Sequence, residues 1–197
     1  MFGNINCLEV LIIMNIKKSI FYRTILICIL FIFFGCKVDK AKLNAMFINA
    51  SKKGDLVEMK RLLDKGADIE VKFQDGHFTY NALMWATEKN YLNVVKYLIK
   101  KGADINVGKN TLESTPLMKA VWNVRFNIVK YLILKGVDVN AVSSDNSSAL
   151  LYAAFKNRFD IVKYLVEHGA KINVMDNRNQ QSPLNLASRW GNIEIVK

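Results

Sequence analysis

The residues of this 197-residue chain most suited to acid–base chemistry are its two histidines, because each has an acidic neighbour. His77 follows Asp75 by two residues and His168 follows Glu167 directly. An imidazole beside a carboxylate is a common general base. A plainer interpretation is favoured for both residues: His77 falls in a turn, and His168 precedes Gly169, where an imidazole suits the negative end of a helix dipole.

Motifs for nucleophilic, metal or phosphate chemistry are missing from the sequence. It contains no Ser/His/Asp set, no H-E-x-x-H, no C-x-x-C with metal-ligand spacing and no Gly-rich phosphate loop. The three cysteines, Cys7, Cys28 and Cys36, all lie within the first 36 residues, so the remainder forms no disulfide and no thiolate metal site. We therefore expect no enzyme, no metal and no cofactor.

The elements that must position any site repeat along the chain with a period near 33 residues. Three sets of landmarks share this period: Leu83, Leu117, Leu150 and Leu184; Val95, Val129, Val162 and Val196; and Gly66, Gly102, Gly136 and Gly169. The leucines are 34, 33 and 34 residues apart, and so are the valines. One structural unit is therefore repeated.

The sequence of each unit predicts two short helices and an extended turn. Small side chains around the landmark leucine suit a helix that lies close to its neighbours. In the second unit, residues 93–99 are apolar at i, i+1, i+4 and i+5, which predicts a second helix, and Lys100-Lys101-Gly102 ends it. Such a pair cannot bury its apolar face alone, so the units must stack.

The repeated unit resembles ankyrin repeats. Ser114-Thr115-Pro116-Leu117 and Ser182-Pro183-Leu184 match the T-P-L opening of that family, and Gly102-Ala103-Asp104-Ile105-Asn106 matches its G-A-D-I-N close. The resemblance implies an all-α solenoid of stacked helix-turn-helix units with β-turn fingers, in a domain spanning residues 37–197. The units are expected at about 41–72, 73–107, 108–140, 141–174 and 175–197, and the turn explains the recurrence of Asp68, Asp104 and Asp138 without catalysis.

Several departures from the family pattern have consequences. The histidine that usually follows T-P-L is replaced by Met84, Met118, Leu151 and Asn185, so we expect less polar cross-bracing than is usual in the family, and modest stability. Residues 73–80 include two extra positions, which predicts a protruding finger. The last unit stops at Lys197 without its glycine cap, so either the chain is a fragment or its last helix frays.

The resemblance also implies where a partner binds, because ankyrin partners usually dock in the groove between the first helices and the fingertips. The corresponding residues here are Trp85, Lys89, Lys119, Trp122, Tyr152, Phe155, Lys156, Arg189 and Trp190, with Phe78, Tyr80, Asn110, Leu112, Asp145, Asn146, Asn177 and Arg178 at the fingertips. Aromatic side chains among basic ones are typical of interface hot spots. The alternative is that some of these rings pack between helices as core.

Charge suggests a second surface. The chain has 28 Lys+Arg against 17 Asp+Glu, a net charge of +11. Lys96, Lys130 and Lys163 share one position on the second helices, where the plain interpretation is a solvated face. The alternative is that this row contacts anionic lipid.

The N-terminus predicts a targeting segment over residues 1–35. Lys17, Lys18 and Arg23 precede the apolar run 24–34, which is too short to span a bilayer, and Met14 is a better start than Met1. Phe33-Phe34-Gly35-Cys36 resembles a bacterial lipobox, which implies cleavage before Cys36 and its lipidation. The alternative is an uncleaved signal anchor in the inner membrane.

These expectations combine into one functional hypothesis. The chain is expected to be an exported, lipid-anchored, monomeric ankyrin protein of the bacterial envelope, on the periplasmic face or the cell surface. It would bind a protein or peptide partner through an aromatic and basic groove, and export argues against nucleic acid. The alternative is a structural envelope component whose basic face contacts anionic lipid.

Overall fold

A computed structural model describes residues 39–75, 78–108, 114–177 and 179–191, and those from Lys40 onward belong to one unit of the chain. The helices within this part are α1 (Lys40–Lys53), α2 (Leu56–Asp64), α3 (Ala82–Glu88), α4 (Leu92–Lys100), α5 (Pro116–Trp122), α6 (Phe126–Leu134), α7 (Ala149–Phe155), α8 (Phe159–Glu167) and α9 (Pro183–Arg189). They follow one another as antiparallel pairs, and each first helix packs on the first helix of the next unit. The predicted solenoid of stacked helix pairs is confirmed.

Each first helix from α3 onward begins at a polar cap. The side chains of Asn81, Thr115, Ser148 and Ser182 each accept a hydrogen bond from the backbone N–H three residues later. The cap satisfies one of the N–H groups that a helix start leaves without a partner. The residue before proline in the T-P-L motif is therefore the N-cap of a first helix.

Glycine ends each second helix, as its position predicts. Gly66, Gly102, Gly136 and Gly169 have φ values of 92°, 90°, 80° and 89°, in the left-handed region that a side chain disfavours. In the second unit, Ala103 N–H donates to the carbonyl of Leu98 at 3.0 Å, which closes the helix end.

The turns between units form fingers, of which the first is a β-hairpin. Strand β1 (Phe73–Asp75) pairs antiparallel with β2 (Phe78–Tyr80), so that Phe73 lies opposite Tyr80. In a later finger only Val142 and Ser148 form an isolated bridge. The longer first finger therefore has a paired two-stranded ladder where the later finger has a single bridge.

A contiguous apolar core runs through the stack, from Leu43 in α1 to Ala170 after α8. The landmark leucines Leu83, Leu117 and Leu150 are at most 2% exposed. Met84 and Met118, which stand where the family usually has histidine, are each 1% exposed, so apolar packing replaces a polar tie at this position.

Polar links between units come from the turns. The side-chain oxygens of Asn44, Glu70, Asn106 and Asn140 accept the backbone N–H of Asp68, Asp104, Asp138 and Lys171, at 2.9, 2.7, 2.9 and 2.8 Å. Glu70, Asn106 and Asn140 thereby join their turns to the next unit, whereas Asn44 in α1 binds the turn of its own unit. These hydrogen bonds link the units at the turns, away from the T-P-L position where methionine replaces histidine.

Asp68, Asp104 and Asp138 have the structural role expected of them. Each carboxylate accepts the backbone N–H two residues later, at 2.9 to 3.0 Å. These local hydrogen bonds fix the backbone conformation of each turn.

Candidate functional site

A groove of about 970 Å³ lies between the inner faces of α3, α5, α7 and α9 and the fingers beside them. Its lining residues are Tyr80, Glu88, Ser114, Lys119, Trp122, Asn123, Ser143, Asp145, Ser147, Leu151, Tyr152, Phe155, Asp176, Asn179, Gln181, Leu186 and Arg189. Its size is typical of ligand-binding clefts. Of the residues predicted from sequence, the groove includes Lys119, Trp122, Tyr152, Phe155, Arg189, Tyr80 and Asp145.

An aromatic cluster forms the centre of the groove. The rings of Trp122 and Phe155 are stacked with centroids 5.7 Å apart, and Tyr152 meets Trp122 edge-on at 5.4 Å. Trp122 and Phe155 are each 42% exposed, which is high for side chains of this size. The ammonium of Lys156 lies 3.7 Å from the centroid of the Trp122 ring. The structure therefore brings four of the predicted residues together.

Trp85 and Tyr80 are not exposed as predicted. Their rings stack with centroids 4.5 Å apart, and they are 6% and 7% exposed. The physical reason is the hairpin finger, which places Tyr80 against α3, while the ammonium of Lys52 lies 4.6 Å from the Trp85 ring. Trp85 therefore belongs to the core, and Tyr80 lines the floor of the groove rather than a fingertip.

Lys119 is held in a polar network on that floor. Its Nζ donates to the Tyr80 hydroxyl at 2.8 Å and lies 4.0 Å from Oε2 of Glu88, to which the same hydroxyl donates at 2.8 Å. Burial lowers the pKa of Lys119, and Glu88 opposes that shift. Lys119 was predicted as a partner contact, but its side chain is only 13% exposed and is already bonded inside the protein.

The charge of the groove differs from the prediction of a basic rim. Among the charged side chains that line it, Glu88, Asp145 and Asp176 are acidic, and Lys119 and Arg189 are basic. Lys89 and Lys156 are not part of the lining, and their ammonium groups lie beside the rings of Trp85 and Trp122. The net positive charge of the chain therefore resides outside the groove.

The last two fingers form an acidic and polar edge of the groove. Asp145 accepts bonds from the Ser143 hydroxyl and from the backbone N–H of Ser147. Asn177 N–H donates to the carbonyl of Asp145 at 2.8 Å, so neighbouring fingers are joined. Sequence reasoning did not find Ser143, Ser147, Asp176, Asn179 or Gln181. Their position just before each helix cap is the signal that would have identified them.

The remaining predicted contacts lie at the margin or outside the described residues. Trp190 is 54% exposed but does not line the groove. Asn146 donates to the carbonyl of Met175 at 2.6 Å and therefore braces two fingers. Some of the predicted residues fall outside the part of the chain that is described: Asn110, Leu112, Arg178, His77, Cys36 and the side chain of Phe78.

His168 has the environment of a helix end. Its Nδ1 lies 2.7 Å from the carbonyl oxygen of Tyr164, and the two rings are 4.1 Å apart. Across the described ranges, no three His, Cys, Asp or Glu side chains are grouped as a metal site would require. None of the helices described is both long and apolar enough to cross a bilayer.

Comparison with known proteins supports the repeat. The family model "Ankyrin repeats (3 copies)" matches three overlapping stretches, residues 1–109, 47–143 and 117–197. Together they cover more than half of the chain.

Similar proteins include three fungal enzymes, each named palmitoyltransferase AKR1. The protein of Eremothecium gossypii is 41% identical over 68 residues, which is 34% of this chain and 9% of that protein. The proteins of Lachancea kluyveri and Naumovozyma castellii are 35% and 45% identical over 78 and 65 residues, 39% and 32% of this chain and 10% and 8% of theirs. The similarity thus spans about a tenth of each relative.

Proposed function

The chain belongs to the ankyrin-repeat family, and from that premise we propose that it is a non-enzymatic module that holds a protein or peptide partner in its groove. Ankyrin stacks are interaction modules in general, and the particular partner depends on the groove. The transferase activity named for the fungal relatives belongs to proteins of which about a tenth is matched. We therefore carry over no catalysis from them.

The exposed pair Trp122 and Phe155 is the observation that supports partner binding. Two large stacked rings, each 42% exposed, line a groove rather than a flat surface. Exposed aromatic residues in a concave site are the usual anchors of an interface, because they bury much area with little loss of side-chain entropy. The partner we propose places an apolar side chain against this pair.

Polar side chains at the edge of the groove supply the hydrogen-bonding groups for a bound partner. Asp145, Asp176 and the neighbouring serine and amide groups line the finger side, and Arg189 lies at the far end. A peptide backbone would find both hydrogen-bond donors and acceptors here. This chemistry replaces the basic rim expected from the sequence.

Peptide selection tests the proposal directly. Peptides selected on the wild-type chain from a random library should bind Trp122→Ala at least tenfold more weakly, because a buried aromatic anchor is worth roughly 2 kcal/mol or more. Trp190→Ala is the matched control, since it removes an exposed tryptophan outside the lining. Equal losses in both variants, or no loss in either, would refute the groove assignment.

We propose further that the module is exported and lipidated at Cys36. The support is the sequence pattern alone: a basic start, an apolar run at 24–34 and Gly35 before the cysteine. Mass spectrometry of the mature N-terminus tests this proposal, with a diacylated or triacylated Cys36 as the expected result. An intact N-terminus at Met1 or Met14 would instead support the uncleaved anchor.

A further inference from the structure

The exposed sides of α4 and α6 form a surface that the groove does not use. Its solvent-exposed residues are Lys96, Lys100, Lys101, Lys130, Leu134 and Lys135, here called the outer patch. None of them lines the groove. The two helices themselves, Leu92–Lys100 and Phe126–Leu134, contain no acidic residue.

The neighbouring second helices have the same lysine position but neutralise their own charge. In α2, Arg61 pairs with Glu58 at 2.5 Å, and in α8, Arg158 pairs with Asp160 at 2.7 Å. Lys163 in α8 lies 4.0 Å from Glu167. The uniform row of Lys96, Lys130 and Lys163 expected from the sequence is therefore broken at Lys163, whereas Lys60 of α2 lies 5.5 Å from the ring of Tyr97 and adjoins the outer patch.

One repeated position shows the difference clearly. Two residues before the glycine stop, the four units have Asp64, Lys100, Leu134 and Glu167. The end units place an acid there, four residues after the shared lysine and on the same helix face. The middle units place a lysine and a leucine there instead, so that no internal partner is supplied.

Within the described residues, four of the five lysines of the outer patch lie beside aromatic rings. Lys96 Nζ lies 5.7 Å from the ring of Tyr131 in the next unit, and Lys130 Nζ lies 4.8 Å from the ring of Phe126. The ammonium groups of Lys101 and Lys135 lie 5.8 and 5.7 Å from the Tyr97 and Tyr131 rings. The patch therefore alternates cations with half-buried aromatic side chains.

Leu134 adds an apolar group to this basic surface. It is 77% exposed, although it stands between Ile133 and Lys135 on a helix with three buried apolar residues. An exposed leucine adds little to the binding of a phosphate chain or an acidic protein loop. It partitions favourably into the boundary between headgroups and acyl chains.

We propose that the outer patch binds anionic lipid headgroups at a bilayer surface, with the five lysines in contact with the headgroups and Leu134 inserted below them. Charge complementarity supports the headgroup contact, because clustered lysines are attracted to the negative surface potential of such bilayers. Leu134 and the tyrosines between the lysines favour a lipid surface over a nucleic acid. Since no residue of the patch lines the groove, the chain could hold its partner while it lies on the membrane.

Vesicle sedimentation with the full chain carrying Cys36→Ser, which removes the proposed lipidation, tests this proposal, and binding is measured as the difference from pure phosphatidylcholine vesicles. Vesicles of 30% phosphatidylglycerol in phosphatidylcholine should bind the protein, and the binding should weaken between 50 and 300 mM salt as charges are screened. The double variant Lys96→Gln/Lys130→Gln should bind about 25-fold more weakly, from roughly fivefold per lysine at such a surface. The matched single variants are Lys130→Gln, which should bind about fivefold more weakly, and Lys163→Gln at the same helix position, which should bind less than twofold more weakly because Glu167 already lies 4.0 Å from that ammonium.

Leu134→Gln separates a lipid surface from other polyanions. It should weaken vesicle binding severalfold and leave binding to a short DNA duplex unchanged, while circular dichroism shows an unaltered fold. Equal losses in Lys130→Gln and Lys163→Gln would mean that only net charge matters, and would overturn the proposal. Unchanged vesicle binding by Leu134→Gln, tighter binding to the duplex than to vesicles, or equal binding to pure phosphatidylcholine would overturn it as well.

Discussion

Position within the repeat determines the role of each aromatic residue at the groove. Two residues after the landmark leucine stand Trp85 and Leu186, each 6% exposed, and Lys119, whose side chain is 13% exposed. Five residues after it stand Trp122 and Phe155, each 42% exposed. Tyr152 also stands at the first position, but it is half-buried and meets Trp122 edge-on. The two tryptophans, Trp85 and Trp122, therefore have different roles because they occupy different positions of the repeat.

This difference predicts opposite stability effects for two tryptophans. Trp85→Ala should lower the free energy of unfolding by about 3–5 kcal/mol, because it leaves a cavity between Tyr80 and α3. Trp122→Ala should lower it by less than about 1 kcal/mol, since much of that ring is already in water. Urea denaturation measures both values, and a smaller loss for Trp85→Ala than for Trp122→Ala would contradict this account.

Lys119 predicts a pH dependence of stability. Burial lowers its pKa in the folded state, so the unfolded chain binds the proton more tightly. The free energy of unfolding should therefore rise with pH from the lowered pKa of the folded state to the ordinary lysine value of about 10.4. Lys119→Met should reduce this rise in denaturation curves between pH 8 and 10.5, and an unchanged slope would show that Lys119 does not cause it.

The turns stabilise the stack as elements in their own right. Each uses an amide or carboxylate oxygen to accept a backbone N–H from the next unit, and at the end of the first unit Glu70 stands where the later turns have Asn106 and Asn140. Glu70 also accepts a hydrogen bond from Asn81, the cap of α3, at 3.0 Å. One side chain therefore joins a turn to the next turn and to a helix start.

Removing one of these links should have a measurable cost. Asn106→Ala leaves the backbone N–H of Asp138 without its partner at 2.9 Å, which should lower the free energy of unfolding by about 1–2 kcal/mol. Asn127→Ala is the matched control, because that asparagine is exposed on α6 and should change stability by less than about 0.5 kcal/mol. Similar losses in the two variants would exclude a special role for the turn.

At the scale of the whole molecule, stability depends on stacking between neighbouring units. A helix pair buries its landmark leucine only when another unit covers it. Leu117 is 1% exposed within the stack, whereas Leu184 in α9 is 53% exposed. Ile172 and Met175, in the turn before α9, are 57% and 49% exposed. The contribution of equivalent leucines to the free energy of unfolding should therefore differ along the stack.

The same substitution at two equivalent leucines measures this difference. Leu117→Ala should lower the free energy of unfolding by about 2–5 kcal/mol, as expected for a fully buried leucine. Leu184→Ala should lower it by less than about 1 kcal/mol, because half of that side chain is in water. Equal losses in chemical denaturation would mean that Leu184 is covered in solution.

The repeat alone determined the fold, because the period, the helix caps and the glycine stops act over short distances in sequence. It also placed Trp122, Tyr152 and Phe155 in one groove, since equivalent positions in stacked units must lie side by side. Only the tertiary structure decided which tryptophan is buried, because that depends on how the 73–80 finger folds over α3. The charge of the groove was likewise decided in three dimensions, where Asp145 and Asp176 from the fingers meet side chains of α5 and α7 that are distant in sequence.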